Sequence, residues 1–363
     1  MGNTTRVKVL KVVGIGLAVA IAAVVAGALA YRDNNLHAEE RIIDAAYRAG
    51  FEEKKATVNG ATVNYAEGPD NGTPLMLVHG QGVEWKDYAS VLPELSKHYH
   101  VVAIDCFGHG KSDHSPELYS CKVNGDALIA LAKQVFGRDY IVSGHSSGGI
   151  LAAYIASNDT EHVSGCMLED PPLFRVSPDQ IQEGAGAFAW YDGYTVAHEF
   201  LQQSEVTDYP TWYAAHSYLF GLFGGLQNML AKQTKEFRTQ HPDQHVVYDW
   251  VPRAWTRGTY YFDEWDPRFG DSFYDGSWLE GIDQEAMLRK IECPTVYLKA
   301  MTDYGKDGVL YAATTDEDAA RVVACIPNCE KTEIKSGHDI HSDTEHPATF
   351  VEAIDKVARL SQS

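Results

Sequence analysis

The chain has 363 residues, of which 45% are hydrophobic and 22% are charged, so it can bury a sizeable core and is not disordered by composition. Its 30 Lys and Arg against 50 Asp and Glu give a formal net charge of −20 at pH 7. Binding to a phosphate backbone needs a basic face, so this balance argues against a nucleic-acid partner. Six cysteines are too few for a disulfide scaffold and lack the paired spacing of a zinc site. These properties favour a large acidic globular enzyme.

The first element in chain order is an uncharged apolar run of 20 residues from Val12 to Tyr31. As a helix it would be about 30 Å long, which is the thickness of the hydrocarbon core of a bilayer. The side chains that precede it are basic, and by the positive-inside rule they keep the N-terminus cytoplasmic; they are Arg6, Lys8 and Lys11.

We therefore expect residues 1–33 to be a signal anchor, a single-pass transmembrane helix with the rest of the chain on the extracytoplasmic side. The alternative is a secreted protein whose signal peptide is cleaved near Ala30, because Ala28-Leu29-Ala30 fits an A-x-A cleavage site. The apolar run is longer than the usual core of a signal peptide, which favours the anchor.

Strand and helix patterns alternate after this segment. Residues 37–50 have the pattern of an amphipathic surface helix, and 55–68 predict a hairpin with a type I′ turn at Asn59-Gly60. Four short apolar runs follow, each ending in small or polar residues, and helical patterns separate them. The runs are 73–80, 100–108, 140–146 and 163–172, and the helical patterns are Trp85–His98, Val123–Phe136 and Gly148–Asn158. This alternation predicts an α/β fold with a mostly parallel sheet and helices on both faces.

The segment 173–289 differs in composition from the rest of the chain. It holds 24 of the 40 aromatic residues and six of the seven tryptophans. The strand and helix pattern resumes after Ile291, so the aromatic segment is an insertion within one domain. We expect a core made of 34–172 and 290–363, with 173–289 as a cap.

A G-x-S-x-G motif, Gly144-His145-Ser146-Ser147-Gly148, lies where a predicted strand turns into a predicted helix. Such a tight turn requires small neighbours, and it presents the serine oxygen at the helix N-terminus, where backbone N–H groups favour negative charge. We expect Ser146 to be a nucleophile.

A serine hydroxyl needs a base that is itself oriented by a carboxylate. The best candidate for the base is His338, which follows the last predicted strand. The predicted acid is Asp303, just after the strand 294–301, which gives the chain order Ser, Asp, His. Asp307 in the same loop and Asp170 at the end of an earlier strand are the alternatives.

Acyl transfer also needs donors for a tetrahedral oxyanion. The loop His79-Gly80-Gln81-Gly82 ends the first parallel strand. The predicted donors are the backbone N–H groups of Gln81 and Ser147, so the identity of the side chain at Gln81 is uninformative about this role.

Four motifs in order carry a resemblance to a known family: HGQG at 79–82, DCFGHGKS at 105–112, GHSSG at 144–148 and GHDIHSDTEHP from Gly337. The chain resembles the α/β-hydrolase fold superfamily, in its capped serine esterase/lipase-like branch. The resemblance implies a helical cap, a mobile lid, inserted between strands six and seven, where the aromatic segment falls. Haloalkane dehalogenases and epoxide hydrolases of this fold use an aspartate at the elbow, so Ser146 argues against both.

Two further features of the sequence have alternative interpretations. The residues His338, Asp339, His341, Asp343 and His346 could be a metal cluster, but one catalytic histidine followed by a helix-start loop explains them with fewer assumptions. No metal and no cofactor are therefore expected. Cys325 and Cys329 could form a short disulfide in an exported protein.

The sequence thus predicts a serine hydrolase that forms an acyl-enzyme and cleaves an ester, amide, lactone or thioester bond. The aromatic cap should line an apolar cleft and the excess negative charge repels anions, so a fairly hydrophobic small acyl substrate is expected. A C–C bond hydrolase or cofactor-free perhydrolase with the same triad, and a non-catalytic binding protein of this fold, are the alternatives.

Overall fold

The computed structural model describes residues 3–182, 186–342 and 346–362, with side chains from residue 15 onward. Within these described residues, eight strands form one sheet in the order β1-β2-β4-β3-β5-β6-β7-β8. The strands are β1 Glu52–Val58, β2 Ala61–Glu67, β3 Thr73–Val78, β4 Tyr99–Ile104, β5 Tyr140–His145, β6 Val163–Glu169, β7 Thr295–Ala300 and β8 Cys329–Ile334.

The sheet is mixed at one edge and parallel elsewhere. Strands β1 and β2 form the predicted antiparallel hairpin, with Asn59 and Gly60 at the positive φ angles of 51° and 86° that its turn requires. Strand β2 is also antiparallel to β4, and every pairing from β4 through β3 to β8 is parallel. The carboxyl ends of β3, β5, β6 and β7 therefore meet along one edge.

The α-helices in chain order are α1 Asn3–Arg48, α2 Leu92–Leu95, α3 Cys121–Val135, α4 Ser147–Asn158, α5 Pro178–Gln182, α6 Val196–Leu201, α7 Tyr209–His216, α8 Tyr218–Gly221, α9 Gln227–Gln240, α10 Arg253–Thr256, α11 Pro267–Tyr274, α12 Gln284–Leu288, α13 Asp316–Cys325 and α14 Pro347–Leu360. A π-helical turn covers Trp190–Thr195, and short 3₁₀ turns include Trp85–Ser90, Arg257–Glu264 and Ile340–Ser342. Helices α4 and α14 pack against the sheet.

Two helical predictions differ from the structure. The apolar run and the surface helix over 37–50 are one continuous helix, α1, because no Pro or Gly separates them. The helix expected over Trp85–His98 is instead a 3₁₀ turn followed by α2, and Pro93 near the start of α2 prevents one continuous helix.

The described residues between β6 and β7 add helices and turns but no strand to the sheet. The chain divides into two compact units. One contains residues 1–41 and 247–257, and the other contains 42–246 and 258–363. The boundaries of the cap at 173 and 289 stay a prediction.

In the part of the chain that the structure describes, one helix is long and apolar enough to cross a membrane, and it begins near the N-terminus. Its apolar side chains from Ile15 to Leu29 are exposed. The flanking basic side chains of Arg6, Lys8 and Lys11 lie outside the described residues.

Candidate active site

Ser146 occupies the turn between β5 and α4 in a strained backbone conformation. Its φ of 53° and ψ of −124° are rare for a residue with a side chain. The turn is held on both sides, since the Ser146 N–H donates to the Glu169 carbonyl at 3.0 Å and the Ser146 carbonyl accepts from Gly149 at 2.8 Å. A Cβ at Gly148 would collide with the His79 carbonyl oxygen, so the first turn of α4 lies directly on the end of β3. The sequence prediction of a strand-to-helix elbow at Ser146 matches this geometry.

His338 lies in the loop after β8 and pairs with Asp170. Its Nδ1 is 2.7 Å from Asp170 Oδ2, and Asp170 is completely buried at the end of β6. The same carboxylate oxygen accepts the Ala313 N–H at 2.9 Å. A carboxylate with these donors fixes the orientation of the imidazole and leaves Nε2 to act as a base.

The pKa of His338 reflects two opposing influences. Burial disfavours the charged imidazolium and lowers the pKa, but the hydrogen bond that His338 donates to Asp170 and the negative charge of Asp170 outweigh burial, so the pKa is raised above its usual value. His338 is therefore a stronger base than a free histidine.

The predicted pairing of His338 with Asp303 is not present in the structure. Asp303 is exposed, and its carboxylate accepts the N–H of Tyr304 at 2.9 Å within a turn of its own loop. Asp307 is also exposed and accepts the Tyr218 hydroxyl at 2.8 Å. The partner of the imidazole is thus the alternative Asp170.

The loop that carries the predicted oxyanion donors lies beside the nucleophile. A Cβ placed on Gly80 would be 3.1 Å from the Ser146 Cβ, so the Gly80 backbone passes close to the serine. Ser147 is the first residue of α4, where a backbone N–H has no acceptor within its own helix. This placement suits the predicted roles of Gln81 and Ser147 as N–H donors, and those roles stay predictions.

The side chain of Gln81, in contrast, does more than the sequence suggested. Its Nε2 donates to the Gly193 carbonyl at 2.5 Å, and it fits between Gly193 and Gly270, where a Cβ on either would approach it to 3.1 Å. Its Oε1 is buried and has no hydrogen-bond partner among the described residues. Gln81 therefore fastens the loop after β3 to the aromatic segment between β6 and β7.

Aromatic rings of that segment also reach the site residues. The Phe188 ring centroid is 6.0 Å from that of His338, and Phe262 occupies the space that a side chain at Gly82 would need. Apolar rings thus adjoin both the base and the loop after β3.

A second pairing of histidine with carboxylates is completely buried next to the first. His341 lies three residues after His338, and its Nδ1 is 2.9 Å from both oxygens of Glu169, the residue before Asp170. Its Nε2 is 2.8 Å from Asp87, and its backbone N–H donates to the Glu169 carboxylate at 2.8 Å. Burial alone would lower the pKa of His341, but the two carboxylates raise it to about 10, so the ring is an imidazolium. We call these three residues the buried ion network; sequence reasoning did not find it.

Two other buried histidines are neutral and hold the loops around the site. His79 accepts the Cys106 N–H at Nε2, and burial lowers its pKa to about 4. His109 accepts the Gly82 N–H at Nε2 and donates to the Phe107 carbonyl, and burial lowers its pKa as well. They shape the backbone rather than move protons.

The sequence favours one catalytic histidine over a metal cluster at residues 338–346, and the expected absence of a metal stays a prediction. Both ring nitrogens of His341 face carboxylates, and Nδ1 of His338 faces Asp170, so these nitrogens are used in hydrogen bonds. His145 lies close to both rings and its Nδ1 is buried without a partner. Asp343 lies outside the described residues.

All six cysteines are free thiols, so the disulfide considered between Cys325 and Cys329 is not formed.

Comparison with known proteins assigns the fold and the family. A family model described as "Alpha/beta hydrolase family" matches residues 75–353, which is most of the chain. The chain therefore belongs to the alpha/beta hydrolase family.

Curated relatives match a part of the chain. A serine hydrolase-like protein of Homo sapiens is 29% identical over 123 residues, 32% of this chain and 59% of that protein. A lipase of Mycobacterium tuberculosis is 31% identical over 109 residues, 29% of this chain and 40% of that protein. The chain spans between about a third and three fifths of the length of the curated relatives it matches first.

Solved structures match nearly the whole fold at low sequence identity. A thermophilic esterase from Thermogutta terrifontis has a TM-score of 0.60 and 17% identity, covering 86% of this chain and all of that one. A bacterial membrane phospholipase A has a TM-score of 0.55 and 19% identity, covering 96% of this chain and 99% of that one. These likenesses establish the α/β-hydrolase fold.

Proposed function

We propose that the chain is a serine hydrolase that cleaves an ester-type bond of a hydrophobic acyl substrate through an acyl-enzyme. The observation that carries the proposal is the strained Ser146 at the start of α4 together with a buried His338 whose Nδ1 is 2.7 Å from Asp170. In this proposal Asp170, rather than the predicted Asp303, completes the triad.

The mechanism follows from these roles. Ser146 Oγ attacks the substrate carbonyl while Nε2 of His338 accepts the hydroxyl proton. Asp170 keeps Nδ1 protonated and stabilises the imidazolium that forms. The N–H groups of Gln81 and Ser147 donate to the oxyanion, and the imidazolium then protonates the leaving group. Water attacks the acyl-enzyme with His338 again as base, and the acid product leaves.

The substrate class is proposed from the surroundings of the site. Phe188 and Phe262 bring apolar surface close to His338 and Gly82, and apolar walls favour a hydrophobic acyl group. The similar proteins include an esterase, a lipase and a phospholipase, all of which are names for ester cleavage. The net charge of −20 disfavours anionic substrates.

The location is proposed from α1. The apolar run from Val12 to Tyr31 is helical, and its apolar side chains from Ile15 to Leu29 are exposed, which fits a single-pass anchor with the hydrolase on the extracytoplasmic side. Secretion after cleavage near Ala30 is the alternative. Recovery of a mature N-terminus at Tyr31 from cells would establish cleavage and overturn the anchor.

The function is tested with a fluorophosphonate probe and a series of p-nitrophenyl esters of increasing acyl length. We expect covalent labelling and ester hydrolysis in the native chain, and neither in Ser146→Ala. Ser143→Ala is the matched control, because Ser143 is a buried serine of β5 whose hydroxyl has no partner. Labelling that survives Ser146→Ala would overturn the proposal, and labelling without hydrolysis of any ester would favour C–C cleavage or perhydrolysis.

A further inference from the structure

Helix α1 continues past its apolar run and binds a segment that lies far along the chain. The Tyr31 hydroxyl donates to the Trp250 carbonyl at 3.2 Å, and the Asn35 side chain donates to the Asp249 carbonyl at 3.2 Å. Arg32 pairs with the Asp249 carboxylate at 2.8 Å. All of these residues belong to one compact unit, which contains 1–41 and 247–257. We call residues 247–257 the collar.

A buried ion cluster strengthens this attachment. Glu39 is 6% exposed on α1, and its carboxylate pairs with Arg253 and with Arg257, the latter at 3.2 Å. Arg253 and Arg257 are themselves mostly buried. Separating the collar from the helix would leave the buried charges of this cluster uncompensated, which is unfavourable. The collar is therefore firmly attached to α1.

The contacts begin where the apolar run ends. With a rise of 1.5 Å per residue, the helix from Tyr31 to Glu39 covers about 12 Å. The headgroup layer on each side of a bilayer is roughly 5–8 Å thick beyond the hydrocarbon core. If the run from Val12 to Tyr31 spans the core, the part of the collar that contacts Tyr31 and Asn35 is at headgroup depth.

The composition of this unit suits that depth. Tyr31 is 45% exposed and Trp255 is 47% exposed, and tryptophan and tyrosine are the residues enriched at membrane–water interfaces. Over 31–41 and 247–257 four arginines balance four carboxylates, whereas the whole chain carries −20. The collar therefore lacks the negative charge that would keep most of the molecule away from an anionic lipid surface.

We propose that the collar is a membrane-binding surface that α1 holds against the headgroup layer of a phospholipid bilayer, with Trp250, whose carbonyl accepts the Tyr31 hydroxyl, among the lipid headgroups. This inference rests on the proposed anchor but not on the proposed hydrolysis. We assign lipid as the binding partner of the collar, because the collar is attached to α1 at the end of the apolar run.

The test reconstitutes the full chain, one copy per lipid nanodisc, in phosphatidylcholine brominated close to the headgroup, and measures quenching of tryptophan fluorescence. We expect Trp250→Phe to lose most of the quenching seen in the native chain, because Trp250 is the tryptophan held at Tyr31. Trp278→Phe is the matched control, because Trp278 is 1% exposed, and it should keep that quenching. Lipid brominated near the acyl chain end should quench less.

Three results would overturn the proposal. The first is quenching that Trp250→Phe leaves unchanged in an inserted chain. The second is failure of the chain to insert, which would also remove the anchor. The third is a dimer of the native chain in detergent that Trp250→Phe converts to a monomer, while quenching in the nanodiscs is unchanged, which would assign the surface to a second copy. Ester hydrolysis is measured on the same nanodiscs. A chain that hydrolyses the ester but gives one of these three results overturns the membrane-binding surface and leaves the proposed hydrolase function intact.

Discussion

The carboxyl ends of β6 and β7 are neighbours in the sheet and have opposite electrostatic character. At the end of β6, Glu169 and Asp170 are completely buried and both face histidine rings. At the end of β7, the buried residue is Lys299, whose ammonium donates to the Ala300 carbonyl and the Thr302 hydroxyl, each at 2.8 Å.

The difference explains where an acid can act in this protein. A carboxylate buried beside the Lys299 ammonium would pair with that charge instead of orienting an imidazole. At β6 the backbone turns at Asp170 with a φ of 40°, and the carboxylate is supplied with the Ala313 N–H and His338. The position of the acid thus depends on which strand end can bury a negative charge with its donors.

The strongest test of this comparison replaces each of the two candidate acids with asparagine in turn. Asp170→Asn should lower kcat/KM by about 10³–10⁴-fold, because the asparagine cannot hold the reactive tautomer of His338 or stabilise its imidazolium. Asp303→Asn should leave kcat/KM unchanged, since Asp303 is exposed and bonded within its own turn. The measurement is steady-state hydrolysis of a p-nitrophenyl ester, and the reverse pattern would show that β7 supplies the acid.

The next test removes one carboxylate from the buried ion network. Glu169→Gln should lower the free energy of unfolding by about 3–5 kcal/mol, because the His341 imidazolium is left with incomplete compensation in a buried site. Glu333→Gln, an exposed carboxylate on β8, is the control and should have little effect. Chemical denaturation followed by circular dichroism measures both, and equal stability of the two variants would contradict the network.

The same network predicts how stability depends on pH. The pKa of folded His341 is raised to about 10 by Glu169 and Asp87, and the titratable rings of Tyr88 and His145 also lie against it. An unfolded histidine has a pKa of about 6.5, so the stabilisation is complete below that pH and is lost as pH rises toward 10. The free energy of unfolding should therefore fall over this interval more steeply in the native chain than in His341→Gln. Parallel curves for the two would show that His341 does not titrate in this way.

The smallest effect is expected at the β7 end. Lys299→Met should cost about 1–2 kcal/mol of stability, because the Ala300 carbonyl and Thr302 hydroxyl lose a charged donor while the chain volume is kept. The kcat should not change, since Lys299 contacts neither His338 nor Asp170 by any described hydrogen bond. A large fall in kcat with normal folding would mean that the two strand ends are coupled.

The sequence was sufficient for features that depend on local chemistry. The type I′ turn at Asn59-Gly60 and the elbow at Ser146 each follow from residue types at fixed spacing, and the structure places them as predicted. The acid was harder, because Asp170, Asp303 and Asp307 all follow strands. Asp170 is distinguished from the other two by its burial and by the N–H that it accepts from Ala313, which is 143 residues away from Asp170 in the chain.

Two further features depend on contacts distant in sequence. The buried ion network joins Asp87, Glu169 and His341, with 254 positions between its ends, and no periodicity signals it. The side chain of Gln81 was uninformative in the sequence, and in the structure it donates a hydrogen bond to the carbonyl of Gly193. Two signals in the sequence bear on the identity of the acid. They are the pair Glu169-Asp170 before Pro171, and Lys299 at the end of β7. Each can be interpreted only once the order of the strands in the sheet is known.

The close seating of α4 on β3 at Gly148 affects how mutational screens of this protein should be interpreted. Any side chain at Gly148 would meet the carbonyl oxygens of Val78 and His79, so even alanine has to displace the helix that carries Ser146. In an activity screen, Gly148→Ala would therefore show the same loss of activity as Ser146→Ala, although it removes no reacting group. The amount of soluble protein recovered from each variant would distinguish them, since only the glycine variant should be depleted.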